Sequence, residues 1–130
     1  MPSTRDLEVP AADVTDKLAL KDPTLLCQNG FVGGRWVAAD ADEVIKVVNP
    51  ATGRVIATVP KMGAAETRRA IEAANAAFGP WRSRPAKERA NLLRRWYDLM
   101  MANQDDLALI LTSEQGKPLA EAKGEIAYGA

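Results

Sequence analysis

Apolar residues change their period once along this chain, near Gly63. Before it they come in short runs rich in Val and Ile; after it they recur every three or four residues, as on one face of a helix. Residues 1–22 follow neither rule, mixing small, acidic and apolar types with only Val14 and Leu18 at helical spacing. They are expected to form a loosely ordered extension. Asp22-Pro23 suits the cap and first position of a short helical turn ending near Cys27. Residues 29–60 read as strands. Phe31-Val32 and Arg35-Trp36-Val37 flank Gly33-Gly34, and paired glycines tolerate the positive φ of a tight hairpin turn. Val44-Ile45-Lys46-Val47-Val48 and Val55-Ile56-Ala57-Thr58-Val59 are two more strands, the second stopped by Pro60. Between them, Asn49-Pro50-Ala51-Thr52-Gly53 has the residue order of a type I turn. The expected product is a small antiparallel meander.

Four helices are expected to follow. Ala70, Ile71, Ala74, Ala77 and Phe78 mark the face of the first, with Gly79-Pro80 as its stop. The second starts near Pro85 and is expected to bury Ala90, Leu93, Trp96, Tyr97 and Met100. The third runs from about Asp105 with Leu107, Ile110, Leu111 and Glu114 along one side. Gly116 supplies its left-handed end, and Pro118 restarts the chain in a last helix carrying Leu119, Ala122, Ile126 and Ala130. That helical pattern has no closing cap, so the chain is expected to be the N-terminal fragment of a longer polypeptide. The fold class expected is α+β: a small antiparallel meander and then four helices, with residues 23–130 as one unit. The apolar helix faces exceed what a small meander can cover.

Composition narrows the chemistry. With 130 residues there is room for one core. The 17 basic and 17 acidic residues cancel, so no global charge draws the chain to nucleic acid or an anionic membrane. There is no histidine, which removes the commonest general base and metal ligand. The lone cysteine, Cys27, excludes an internal disulfide, and a zinc site lacks ligands. No apolar run approaches a membrane span, and the acidic N-terminus fits neither a signal nor a transit peptide. A cytoplasmic location with reduced Cys27 is the expectation.

Each candidate for chemistry has a plainer reading. Cys27 beside Leu25 and Leu26 has no base to activate it, and free cysteines tend to pack as small hydrophobes. Gly33-Gly34 precedes a strand, not a helix, and matches no phosphate-binding fingerprint. Arg82, Arg84, Lys87, Arg89, Arg94 and Arg95, beside Trp81 and Trp96, suggest phosphate contacts and base stacking. A solvated or subunit-facing helix surface is the preferred reading, with Trp96 on the apolar face. Glu114, Glu121 and Glu125 are ordinary helix charges, save that Glu114 shares a side with apolar residues, and a buried carboxylate needs a cation or several donors.

The order of these elements resembles the start of the aldehyde dehydrogenase family. Asn49-Pro50-Ala51-Thr52-Gly53 is similar to its N-P-x-T-G turn, with the Gly-Gly-Arg-Trp hairpin upstream. Glu114-Gln115-Gly116-Lys117-Pro118 is similar to its acidic-x-G-K-P helix break. Lys61-Met62-Gly63-Ala64, Ala86-Lys87-Glu88-Arg89, Gln104-Asp105-Asp106-Leu107-Ala108 and the stretch from Leu119 to Ile126 resemble the succinate-semialdehyde type. The resemblance implies a homo-oligomeric oxidoreductase that oxidises succinate semialdehyde with NADP or NAD, in 4-aminobutyrate breakdown. It implies a cysteine nucleophile, a glutamate base and a cofactor site, none of which matches a position here, so the fragment alone is expected to be inactive. It also implies a structural monovalent cation held by the carbonyls of Val47 and Val48 and the carboxylate of Glu114. An aldehyde substrate is expected as a partner only in the full-length enzyme, with no nucleic acid and no membrane. Two alternatives remain: a regulatory or subunit-binding module, and a nucleic-acid-binding helix cluster.

Overall fold

The computed structural model describes residues 16–130. A short helical turn, Pro23–Leu25, leads into strands β1 (Gly30–Val32), β2 (Arg35–Val37), β3 (Val44–Val48) and β4 (Val55–Pro60). Helices α1 (Ala64–Arg82), α2 (Ala86–Ala102), α3 (Gln104–Gln115) and α4 (Leu119–Gly129) follow. The α+β reading therefore holds. No helix among the described residues is long and apolar enough to cross a membrane.

The strands pair as two hairpins and not as one continuous meander. In the first, Phe31 pairs with Trp36, and their rings meet at 5.0 Å between centroids. Its turn places Gly33 at φ 58° and Gly34 at φ 80°, the double positive φ that this tight hairpin needs. In the second, β3 and β4 run antiparallel from Val44↔Pro60 to Val48↔Val55, with an irregularity between Val47 and Val48. The Asn49 carbonyl accepts the N–H groups of Thr52 (3.3 Å) and Gly53 (2.8 Å), and Gly53 sits at φ 71°. The expected turn is there, and the Asn49 side chain adds a bond from Ala51 N–H at 2.9 Å.

The two hairpins separate because their link is captured by α1. Asp40 N–H donates to Glu66 at 3.0 Å, and the Asp40 carboxylate takes Arg69 at 2.6 Å. Glu66 also reaches back to Gly63 N–H at 3.0 Å, satisfying a donor at the start of α1.

Helix α1 does not stop at Gly79-Pro80 as expected; Pro80 lies inside it. Proline normally bars the helical conformation to the residue before it, by a clash that involves that residue's Cβ. Gly79 has none. Pro80 falls in the last turn, so one missing N–H costs little of the ladder. Ser83 then closes the helix, its N–H and hydroxyl both donating to the Gly79 carbonyl. Gly116 ends α3 at φ 83°, as its position predicts.

The core is small. The buried apolar residues are Ala39, Ile56, Ala57, Ala108 and Ala122. Helix α3 lies along α4, and alanines at 108 and 122 let such backbones approach closely. The expected buried face of α2 is a correction: Tyr97 and Met100 are half-buried, but Ala90, Leu93 and Trp96 are exposed. Ile71 and Phe78 on α1 are exposed as well. The reason is geometric. The described part of α2 touches α3 and α4 with one side only, and nothing described covers the other.

Of the expected loose extension, residues 1–15 lie outside the described residues. The rest is tied down: Asp16 N–H donates to the Val55 carbonyl, and the N–H groups of Lys21 and Asp22 donate to Asp106.

Exposed apolar stripes of this size drive association. Residues 1–130 in solution are expected to be helical by circular dichroism and to gain mass with concentration in sedimentation equilibrium. The double variant Leu93→Glu, Trp96→Glu should sediment as a monomer with its helix content intact. A native chain that stays monomeric at every concentration would contradict this.

Candidate functional site

The two segments that stand out in the sequence, the Asn49-to-Gly53 turn and the helix break at Gly116, touch in space. A Cβ built on Gly116 would lie 2.9 Å from Pro50 Cγ, closer than real Cβ contacts come. The proline ring therefore rests on the bare Cα of the glycine. Gly116 is doubly determined, by its positive φ and by this approach.

Around that contact lie the ends of β3 and α3. Val47 is half-buried and Val48 exposed, at the irregular end of β3. Glu114 is exposed, which corrects the expectation of a buried carboxylate. It shares the helix side of the half-buried Leu107, Ile110 and Leu111. However, it belongs to the last turn, where its long arm reaches water. One turn before Gly116, the Thr112 carbonyl accepts Gly116 N–H at 2.8 Å, while the Thr112 hydroxyl is buried without a hydrogen-bond partner. Beyond the break, the mostly buried Lys117 side chain pairs with Glu125 of α4. No group of three or more His, Cys, Asp or Glu suited to a metal ion exists among the described residues.

The buried carboxylate is at the other end of α3. Asp106 is 5% exposed and accepts Lys21 N–H at 3.1 Å and Asp22 N–H at 2.8 Å. Its neighbour Asp105 faces water and holds Lys123 at 2.7 Å and Lys21 at 2.9 Å. Hydrogen bonds from Lys123 and then Lys21 pull the Asp105 pKa down from 3.8 to about 2. Acids in a first helical turn usually serve the helix dipole, and nothing in their spacing distinguishes the buried one from the exposed one.

The remaining candidates lose their special character. Cys27 is exposed, not half-buried, and its thiol turns back to the Thr24 carbonyl at 3.5 Å. Arg89 donates to the carbonyls of Arg82 (2.7 Å) and Arg84 (3.3 Å), bracing the corner between α1 and α2. Arg82 lies over Phe78 and Arg94 over Tyr97, at 5.6 and 5.1 Å from the ring centroids. Half of the basic cluster is thus engaged within the chain. Trp96 is 62% exposed and not on a buried face.

Comparison with known proteins gives a consistent result. A profile described as the aldehyde dehydrogenase family matches residues 36–130. The chain is 66% identical over 113 residues to a glutarate-semialdehyde dehydrogenase of Pseudomonas aeruginosa, covering 87% of this chain and 23% of that protein. It is 56% identical over 113 residues to the NADP-dependent succinate-semialdehyde dehydrogenase of Escherichia coli, with the same coverage of 87% and 23%. Among solved structures, a succinate-semialdehyde dehydrogenase from Burkholderia pseudomallei superposes with a TM-score of 0.82 at 66% identity, over 85% of this chain and 23% of that one. The chain thus spans about a quarter of the length of the relatives it matches.

The depressed pKa of Asp105 carries a sign. A carboxylate whose folded pKa lies below its unfolded value adds stability that is complete above 3.8 and disappears as pH falls toward about 2. Urea midpoints of the native chain and Asp105→Asn are expected to differ at neutral pH and to converge across that window. Added salt should shrink the gap. A gap that persists unchanged at pH 2 would contradict the assignment.

Proposed function

The chain belongs to the aldehyde dehydrogenase family, and on that premise we propose that it supplies the N-terminal part of an NAD(P)-dependent oxidoreductase acting on short acid semialdehydes. Succinate semialdehyde is the substrate suggested by the motif resemblance, with succinate as product. Glutarate semialdehyde is the homologue one methylene longer, and a pocket separates two such substrates by only ~1–3 kcal/mol. The observation that carries the reading is the 66% identity, over nearly the whole described chain, to a dehydrogenase of this substrate class. Breakdown of 4-aminobutyrate, a cytoplasmic setting and a homo-oligomer complete the proposal, with residues 23–130 as the part that joins the larger domain.

The chain's own residues do not perform the reaction. Cys27 is exposed on a surface turn, and no histidine stands near it or anywhere else. NAD(P) supplies the hydride acceptor in the complete enzyme. What residues 16–130 contribute is a scaffold: apolar stripes on α1 and α2 for a larger body to pack on, and a turn seated on a helix break.

That seat is also where we place a structural monovalent cation, on the carbonyls of Val47 and Val48 and the carboxylate of Glu114. Every donor there is a hard oxygen, suited to an alkali cation and not to a soft metal. The irregularity at Val47 and Val48 disturbs the ladder where those carbonyls sit. The Thr112 hydroxyl, one turn before Gly116, is buried without a hydrogen-bond partner, which supports a polar ligand near this helix end.

The test is a graft. This chain, put in place of the matching first quarter of the Pseudomonas aeruginosa glutarate-semialdehyde dehydrogenase, should oxidise both semialdehydes with NAD(P). Residues 1–130 alone should oxidise neither. A graft that folds but is inactive would refute the family role. In the same graft, Glu114→Ala should lower Tm by several degrees in potassium buffer, leave it unchanged in choline buffer and spare kcat. Equal Tm values in potassium would remove the cation.

A further inference from the structure

We propose that residues 16–28 are a strap that guards the outer edge of β4 and is buckled to α3 by Asp106. β3 occupies one edge of β4, and no described strand pairs with the other. An unpaired edge offers N–H and C=O groups to any strand that approaches. Here two of those groups are met by the N-terminal segment. The Val55 carbonyl accepts Asp16 N–H at 3.2 Å. Thr58 N–H donates to the Gln28 side-chain oxygen at 2.9 Å, and the Thr58 hydroxyl reaches the same oxygen at 3.4 Å. By the alternation of the strand, the next N–H on that edge would belong to position 60, a proline that has none. Ile56, Ala57 and Thr58, the middle of this strand, are buried.

The cover is not a strand. It contains the helical turn Pro23–Leu25, held by the Asp22 carboxylate through Thr24 N–H at 3.0 Å and the Thr24 hydroxyl at 2.6 Å. A fifth strand would close one edge and open another; a turn-containing segment ends the sheet.

Between its two attachments to β4, the strap crosses to α3. Asp106 lies in the first turn of that helix and takes consecutive N–H groups from Lys21 and Asp22. Bonds to an ionised acceptor are stronger than neutral ones, and these are nearly out of water. The Lys21 ammonium adds a surface contact to Asp105, which also holds Lys123 of α4. The buckle thus fixes the middle of the strap to the helix pair, while Asp16 and Gln28 fix its ends to the sheet.

The prediction is that the attachments act together, and amide hydrogen exchange in the 130-residue chain tests it. In Asp106→Asn, protection should fall about tenfold or more at Lys21 and Asp22. It should fall comparably at Thr58, whose own acceptor, Gln28, is untouched. Ala108 and Ala122 should keep their protection, showing that α3 and α4 remain folded. An unchanged Thr58 amide would overturn the proposal. Should Asp106→Asn also lose protection at Ala108 and Ala122, the reciprocal variant decides. Gln28→Ala should then loosen the Lys21 and Asp22 amides, although Asp106 is intact, and their full retention would overturn the strap.

Discussion

The stop of α3 at Gly116 is the constraint on which the rest of this structure turns. One residue in the left-handed region, with no side chain, lets the Pro50 ring rest on the helix end. That contact joins the turn of the β3–β4 hairpin to the end of α3. It also sends the chain through Lys117 and Pro118 into α4, which returns along α3 with Ala122 buried. At the opposite end of α3, Asp106 takes the N-terminal segment. A single helix of 12 residues thus holds the hairpin at one end and the strap at the other.

The energetics explain why so small a core suffices locally and not globally. Alanine dominates what is buried, and alanine contributes contact at no cost in side-chain entropy. Large apolar residues lie mostly on the outside of α1 and α2. Each would contribute roughly 1.5–3 kcal/mol if covered. A chain spanning a quarter of its relatives' length, with its richest apolar faces outward, is consistent with a scaffold whose cover lies in the remaining sequence of such proteins. The arginines at the corner of α1 and α2 belong to this account, since Arg89 caps carbonyls and Arg82 and Arg94 lie on aromatic rings.

Local features were legible in the sequence and relations between distant residues were not. Gly33-Gly34, the Asn49-to-Gly53 turn and Gly116 announce themselves because positive φ restricts the residue choice. The helix after Pro80 was hidden because the glycine before it cancels the usual steric objection. The separation of the two hairpins depends on Asp40 meeting Glu66 and Arg69, more than 20 positions later, which no periodicity records. The buried carboxylate of α3 is not the one that helical spacing singles out. Glu114 lay on an apolar side by spacing, whereas Asp106 is buried because a distant segment folds over it. Val47, Val48 and Glu114 are linked in the sequence only by family resemblance; in the structure the Pro50–Gly116 contact joins the two segments that carry them.

The claim that the hairpin is seated on the helix break is tested most directly by a double-mutant cycle between positions 50 and 116, read by urea unfolding. Gly116→Ala meets two penalties, the positive φ and the Pro50 ring. Pro50→Ala removes only the second. The account predicts that Gly116→Ala destabilises less in the Pro50→Ala background than in the native chain, with a coupling of about 0.5–3 kcal/mol. Additivity within about 0.3 kcal/mol would show that turn and helix end do not meet, and would contradict it.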